Sequence, residues 1–165
     1  MKKTLLVALV FLCLFNMCGC THSISDKTTF YYCSADYQFG KDASVIQSEV
    51  RHISGHEGEL TYLISLYLAG PSSKKLESPF PKNIKLISAD LENKHLNVEL
   101  SYWGKQLSEA DFVLACACMT LSTMEFADAE QVTIISGEKS ITMERADLLL
   151  YDTITSAGNT TEDSK

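Results

Sequence analysis

A chain of 165 residues, 45% hydrophobic and 21% charged, has the length and composition of one folded domain and not of a disordered polymer. Its formal net charge of −7 excludes binding of nucleic acid through a basic surface, because neutralising phosphates needs a Lys/Arg surplus. Six cysteines would suggest a disulfide scaffold, but three of them fall within the first twenty residues, where another explanation applies.

Lys2 and Lys3 form a positive start, and Leu5 to Phe15 is an uncharged apolar stretch. About a dozen apolar residues suit a secretory signal and fall short of the ~20 that span a bilayer. The stretch ends in Asn16-Met17-Cys18-Gly19-Cys20. A small residue directly before a cysteine, after an apolar run, resembles the lipobox of bacterial lipoproteins. That resemblance implies cleavage after Gly19 and a lipid on the Cys20 thiol, with Met17 and Cys18 departing from the usual Leu and small residue. An ordinary cleaved signal and an uncleaved anchor are the competing readings. Two acyl chains hold a protein stably where one gives only marginal binding. Losing residues 1–19 removes two lysines and no acid, which moves the net charge from −7 to −9. So acidic a chain gains nothing from anionic lipid, and the tethering falls to the acyl chains. The expected layout is a signal over residues 1–19, a tether over 20–27 and a domain over 28–143. An unassigned extension covers 144–154, and a Ser/Thr/Gly/Asp-rich disordered tail covers 155–165. The expected location is the extracytoplasmic face of the cell membrane.

Within the domain, Thr28-Thr29-Phe30-Tyr31-Tyr32-Cys33 is β-branched and aromatic and predicts a strand. Gly40-Lys41-Asp42 supplies turn chemistry, and Ser44 to Ile53 predicts a second, paired strand. Leu60, Leu63, Ile64, Tyr67 and Leu68 recur at helical spacing, so Glu57–Ala69 reads as a helix. Gly70-Pro71 stops it, since Gly takes the left-handed position and Pro cannot continue the helix. Pro79-Phe80-Pro81 stiffens the loop Ser72–Asn83. Ile84–Leu91 and His95–Ser101 predict two strands around Glu92-Asn93-Lys94; in the second, Leu96, Val98 and Leu100 alternate with polar residues, as a half-buried strand requires. Ser108 caps a helix over Glu109–Met124, with acids suited to its positive end and Leu107 and Phe112 as a hydrophobic staple. Its body, Phe112–Leu121, is apolar on nearly every side and must be deeply covered. Val132–Ile135 predicts a strand, Gly137-Glu138 a turn and Ser140–Met143 an edge strand; Asp147–Asp152 is short and left unassigned. The order β-β-α-β-β-α-β predicts an α+β fold, with both helices on one face of a single mixed or antiparallel sheet.

The run Leu66-Tyr67-Leu68-Ala69-Gly70-Pro71, then Leu76, Ser78-Pro79-Phe80-Pro81 and Ile84 onward, resembles the GerMN domain of sporulation and spore germination. So do Leu96 to Ser101, the helix segment Ala117-Cys118-Met119-Thr120-Leu121, and Val132-Thr133-Ile134-Ile135-Ser136-Gly137. The resemblance covers roughly Thr28 to Met143. Gly70, Pro71, Pro79, Pro81, Thr120 and Gly137 match the motif; Ser136, where Asp is common, and the Cys116/Cys118 pair depart from it. The resemblance implies no reaction centre and no cofactor. It implies a protein–protein contact module of the envelope, in sporulation, germination or a more general role.

Read on their own, the chemical candidates are few. His52 and His56 lie four apart with Glu57 and Glu59 nearby, but Ser54-Gly55 between them is poor helix and the order of a zinc protease motif is missing. Asp90 with Glu92 or Glu99 is a carboxylate set on a hairpin expected to be wet. Cys116 and Cys118 point about 200° apart on a helix; Cys33 could pair with either, or all three could be buried thiols. No metal site follows. Tyr102 and Trp103, with Phe80, are the candidate interface residues, because aromatics anchor protein contacts. The expected partners are the membrane, through the lipid, and an envelope protein or a second copy. The alternative is a small-ligand or wall-glycan binder, which would need a pocket lined by aromatic and polar groups.

Overall fold

The structure, a computed structural model, describes residues 26–36, 45–103 and 107–148. The signal, Gly19, Cys20, the Gly40-Lys41-Asp42 turn, most of the extension and the tail lie outside these residues.

Strand β1 (Lys27–Ser34) pairs antiparallel with β2 (Ile46–His52), Tyr31 opposite Ser48. Its other edge takes a two-residue strand, β3 (Leu76–Glu77), which makes β1 the centre of a three-stranded sheet. Between them lies helix α1 (Leu60–Leu68). It starts with the first residue of the apolar spacing, Leu60, and not at Glu57 as expected. Gly55 and Gly58 sit at φ +86° and +80°, outside helical space, and Glu59 gives the helix no side-chain cap. Gly70, at φ +94°, ends it, and its N–H bonds to Tyr67 O at 3.0 Å.

Strands β4 (Leu86–Glu92), β5 (His95–Leu100), β6 (Gln131–Ser136) and β7 (Lys139–Glu144) form a second sheet in that order. Only β5 and β6 run parallel. A parallel pair needs a long crossover, and α2 (Glu109–Phe126) supplies it. Alternation fixes which face is inward: Leu96, Val98, Leu100, Val132 and Ile134 are fully buried.

The α+β class expected from the element order holds. The strands, however, divide into two sheets, and the helices do not share one face. Helix α1 packs on β4, whereas α2 contacts β1, β7 and α1. The physical reason lies in α2 itself. Residues Ala115 to Thr120 are all buried, and a helix apolar all round is stable only when covered on several sides.

Aromatic rings run through the core. Tyr32 stacks on Tyr67 with centroids 4.9 Å apart, and Tyr67 meets Phe80 edge-on at 6.1 Å. Phe80 then reaches Trp103 at 5.2 Å, and Trp103 reaches Phe112 at 5.3 Å. The chain of rings links β1, α1, the Pro79–Pro81 loop, the end of β5 and the start of α2.

Candidate interaction surface at the Tyr102 corner

Beyond β5 the side chains of Tyr102 and Trp103 part. Trp103 is 2% exposed and wedged between Phe80 and Phe112, while Tyr102 is 66% exposed. Phe80 is buried too. This corrects the expectation for two of the three candidate interface aromatics. Phe80 and Trp103 fill the core where the rings converge, because their large apolar area gains most there. Of the three, only Tyr102 is exposed.

Tyr102 is braced from below. Ser136 and Lys139 pair across the β6–β7 hairpin, leaving Gly137 and Glu138 as its two-residue loop. Gly137 has φ +62°, the conformation a Gly takes most easily at the first loop position. The Tyr102 ring lies on it: a Cβ there would stand 2.7 Å from ring carbon Cδ2. Ser136 Oγ donates to Ser101 O at 3.2 Å and holds the two segments together. The family-motif Gly137 is therefore needed twice, for its backbone and for the bare surface it offers.

Next to this corner, Glu109, Phe112, Val113, Glu138, Lys139, Ser140 and Ile141 line an open groove of about 370 Å³. Val113 is 40% exposed. Lys139 Nζ stands 5.3 Å from the centroid of the Phe112 ring, a cation–π contact. Ser108 Oγ accepts from Asp111 N–H at 3.2 Å, so the cap expected from sequence fixes the start of α2 beside the groove. An exposed aromatic, an apolar floor and charged residues at the rim match the anatomy of a protein contact surface.

The other motif residues act within the fold. Pro71, Pro79 and Pro81 are half-buried, and Thr120 is fully buried in α2. The histidines do not converge. His52 Nδ1 faces Asp26 at 3.6 Å, while His56 stacks on Tyr62 at 3.7 Å and meets Glu59 at 3.1 Å. Asp90, Glu92 and Glu99 are exposed, and their cross-strand partners are Asn97, His95 and Ser88, not one another. Cys33, Cys116 and Cys118 are free thiols. Cys118 hydrogen-bonds to Cys33, and burial pushes the Cys116 thiol up to about 12.

A clamp that sequence reading missed holds the Gly70-Pro71 turn. Glu49 and Arg51, two apart on β2 and therefore on one face, form an ion pair. Arg51 donates to Leu66 O at 3.3 Å and to Gly70 O, and its guanidinium lies 5.3 Å from the Phe30 ring centroid. Glu49 accepts from Ser72 and Ser73 N–H at 3.0 Å each. Burial alone would raise the Glu49 pKa. The Ser72 N–H, Arg51 and the Ser73 N–H outweigh it and hold the carboxyl below the usual carboxylate range.

A family model, Germane, described as sporulation and spore germination, matches residues 29–142. No curated protein matches the chain. The first GerMN domain of the sporulation protein GerM from Bacillus subtilis is 12% identical with a TM-score of 0.55, over 71% of this chain and 86% of that one. The tandem GerMN domains of the same protein give 18% and 0.51 over 68% of this chain, which spans 39% of theirs. A candidate lipoprotein from Clostridium perfringens is 18% identical with a TM-score of 0.46, over 73% of this chain and 88% of that one. The Bacillus likenesses are likenesses of fold.

Proposed function

The chain belongs to the Germane family of sporulation and spore germination, and from that premise we propose that it is a non-catalytic, lipid-anchored interaction module of the cell envelope. Cys20 carries the lipid after cleavage at Gly19, and the domain stands on the extracytoplasmic face. There it binds an envelope protein or a second copy of itself, in sporulation or germination.

The observation that carries this reading is Tyr102. A 66% exposed tyrosine on a glycine floor leaves apolar area in water that a partner would cover. Its ring is already held, so little conformational freedom is lost when a partner covers it. Val113 and the adjoining groove extend the apolar contact, and Glu109, Glu138 and Lys139 supply its charged edge.

The test is a photo-crosslinking amino acid placed at Tyr102, and separately at exposed Asp90, in the full chain in its own membrane. A discrete adduct from position 102 alone supports the reading and identifies the partner; an adduct with the chain itself makes the partner a second copy. Equal adducts from both positions would remove the surface from consideration. No adduct, together with binding of wall-glycan fragments by the purified protein, would replace the reading with ligand binding. Release of the protein from membranes by Cys20→Ala tests the anchor separately.

A further inference from the structure

Helix α2 and strand β1 run antiparallel across the seam they share. Tyr31 N–H donates to Ser122 Oγ at 2.8 Å, and Phe30 meets Phe126 edge-on at 6.0 Å. From Tyr31 to Cys33 the strand advances about 6.6 Å. From Ser122 back to Cys118 the helix advances about 6 Å. The two steps match, so Cys33 and Cys118 come side by side, and the Cys118 thiol donates a hydrogen bond to the Cys33 sulfur. Close approach is possible because Ala115, Cys118 and Ser122, at i, i+3 and i+7, give one face of α2 small side chains. Cys116 is also buried but points about 200° away from Cys118.

We propose that Cys33 and Cys118 join in a disulfide that pins β1 to α2 and leaves Cys116 a free thiol. The pairing stands on the geometry; its formation in the cell rests on the export proposed above. Half-buried Cys33 is the thiol an oxidant can reach, whereas Cys118 is fully buried. The hydrogen bond from Cys118 holds Cys33 below the usual thiol range despite its burial, so Cys33 is the attacking group. Its thiolate attacks one sulfur of a disulfide oxidant, an envelope thiol–disulfide oxidoreductase or glutathione disulfide, and one oxidant thiol leaves. Cys118 then loses its proton and attacks Cys33 Sγ, and the second oxidant thiol leaves. Two protein thiols become one disulfide, and the oxidant disulfide becomes two thiols, taking up both electrons and both protons.

The test uses the full chain, purified reduced and then treated with glutathione disulfide, beside Cys116→Ser and Cys118→Ser variants. Peptide mapping is expected to show one intramolecular bond between the Cys33 peptide and the α2 peptide, kept in Cys116→Ser and lost in Cys118→Ser. Oxidation closes a loop of about 85 residues and should raise Tm by about 10 °C. Cys118→Ala replaces the serine variant if a buried hydroxyl prevents folding. A bond to Cys116, an intermolecular dimer or a glutathione adduct on Cys33 alone would overturn the pairing. Rapid alkylation of protein taken directly from cells tests the second half. A bond made by glutathione disulfide but missing in cells would overturn formation in the envelope and count against export, leaving the pairing intact.

Discussion

Substitution of Gly137 separates backbone strain from loss of the surface on which Tyr102 rests. Alanine at φ +62° takes on the left-handed penalty, about 1–2 kcal/mol. Its Cβ also meets Cδ2 of Tyr102 at 2.7 Å. The ring is 66% exposed and can swing into water, so that contact adds only about 0.5–1 kcal/mol of lost packing. Gly137→Ala should therefore cost about 2 kcal/mol. Asparagine tolerates left-handed backbone better, so Gly137→Asn should cost about 1 kcal/mol while still displacing the ring. In a Tyr102→Ala background no ring remains to be displaced, and Gly137→Ala should cost about 0.5–1 kcal/mol less. Trp103 is the only tryptophan and is buried, so its fluorescence through a urea titration reports the unfolding of the wild type and the four variants. Equal costs of Gly137→Ala in both backgrounds would refute the bracing of Tyr102 by Gly137. So would a Gly137→Asn protein that crosslinks from position 102 as the wild type does.

Three further outcomes are expected. Glu49 has a folded pKa below its ordinary value, so its contribution is complete above about pH 4.5 and is lost as pH falls through the folded value. Glu49→Gln should cost about 1–2 kcal/mol at pH 7 and flatten the acid limb of a stability–pH curve; an unchanged acid limb would contradict the clamp. Asn93 and Lys94 both have positive φ, at 50° and 64°, in the β4–β5 hairpin. Lys94→Gly should raise stability by about 0.5–1 kcal/mol despite losing an exposed ion pair with Glu130, and a fall in the urea midpoint would show that the pair matters more. Trp103→Ala should cost about 3–5 kcal/mol, whereas Tyr102→Ala should cost less than about 1 kcal/mol; the reverse order in denaturation would contradict their burial.

Much of the secondary structure was legible in the sequence because it is governed by local physics. The alternation of Leu96, Val98 and Leu100 marks β5, and Ser108 marks the first turn of α2 within a residue. The division into two sheets was not legible. It depends on which surface covers α2, and a helix apolar all round carries no directional signal. Nor was β3, whose two residues hold no period and form a strand only because the edge of β1 is available. Trp103 and Phe80 were misjudged for a related reason: an aromatic at a strand end or between prolines packs inward or outward according to ring partners distant in sequence. Arg51 and Glu49 were overlooked beside the more conspicuous His52. Charges spaced two apart on an edge strand look solvated, and the carbonyls and amides they serve belong to residues 66 to 73. The one available signal was an arginine two residues after an acid in a strand followed by a helix that ends in Gly-Pro.

The central position of β1 shapes how the chain assembles. Its first neighbour, β2, follows within the same hairpin, but the helix that covers it begins at residue 109, and Tyr31 waits for Ser122. Contacts that close so long a loop are slow to form. An N-terminal hairpin formed ahead of the rest would leave the α2-facing side of β1 in water until nearly the whole domain had followed. Folding from the N-terminus in stages is thereby disfavoured, and the domain should form in a single late step.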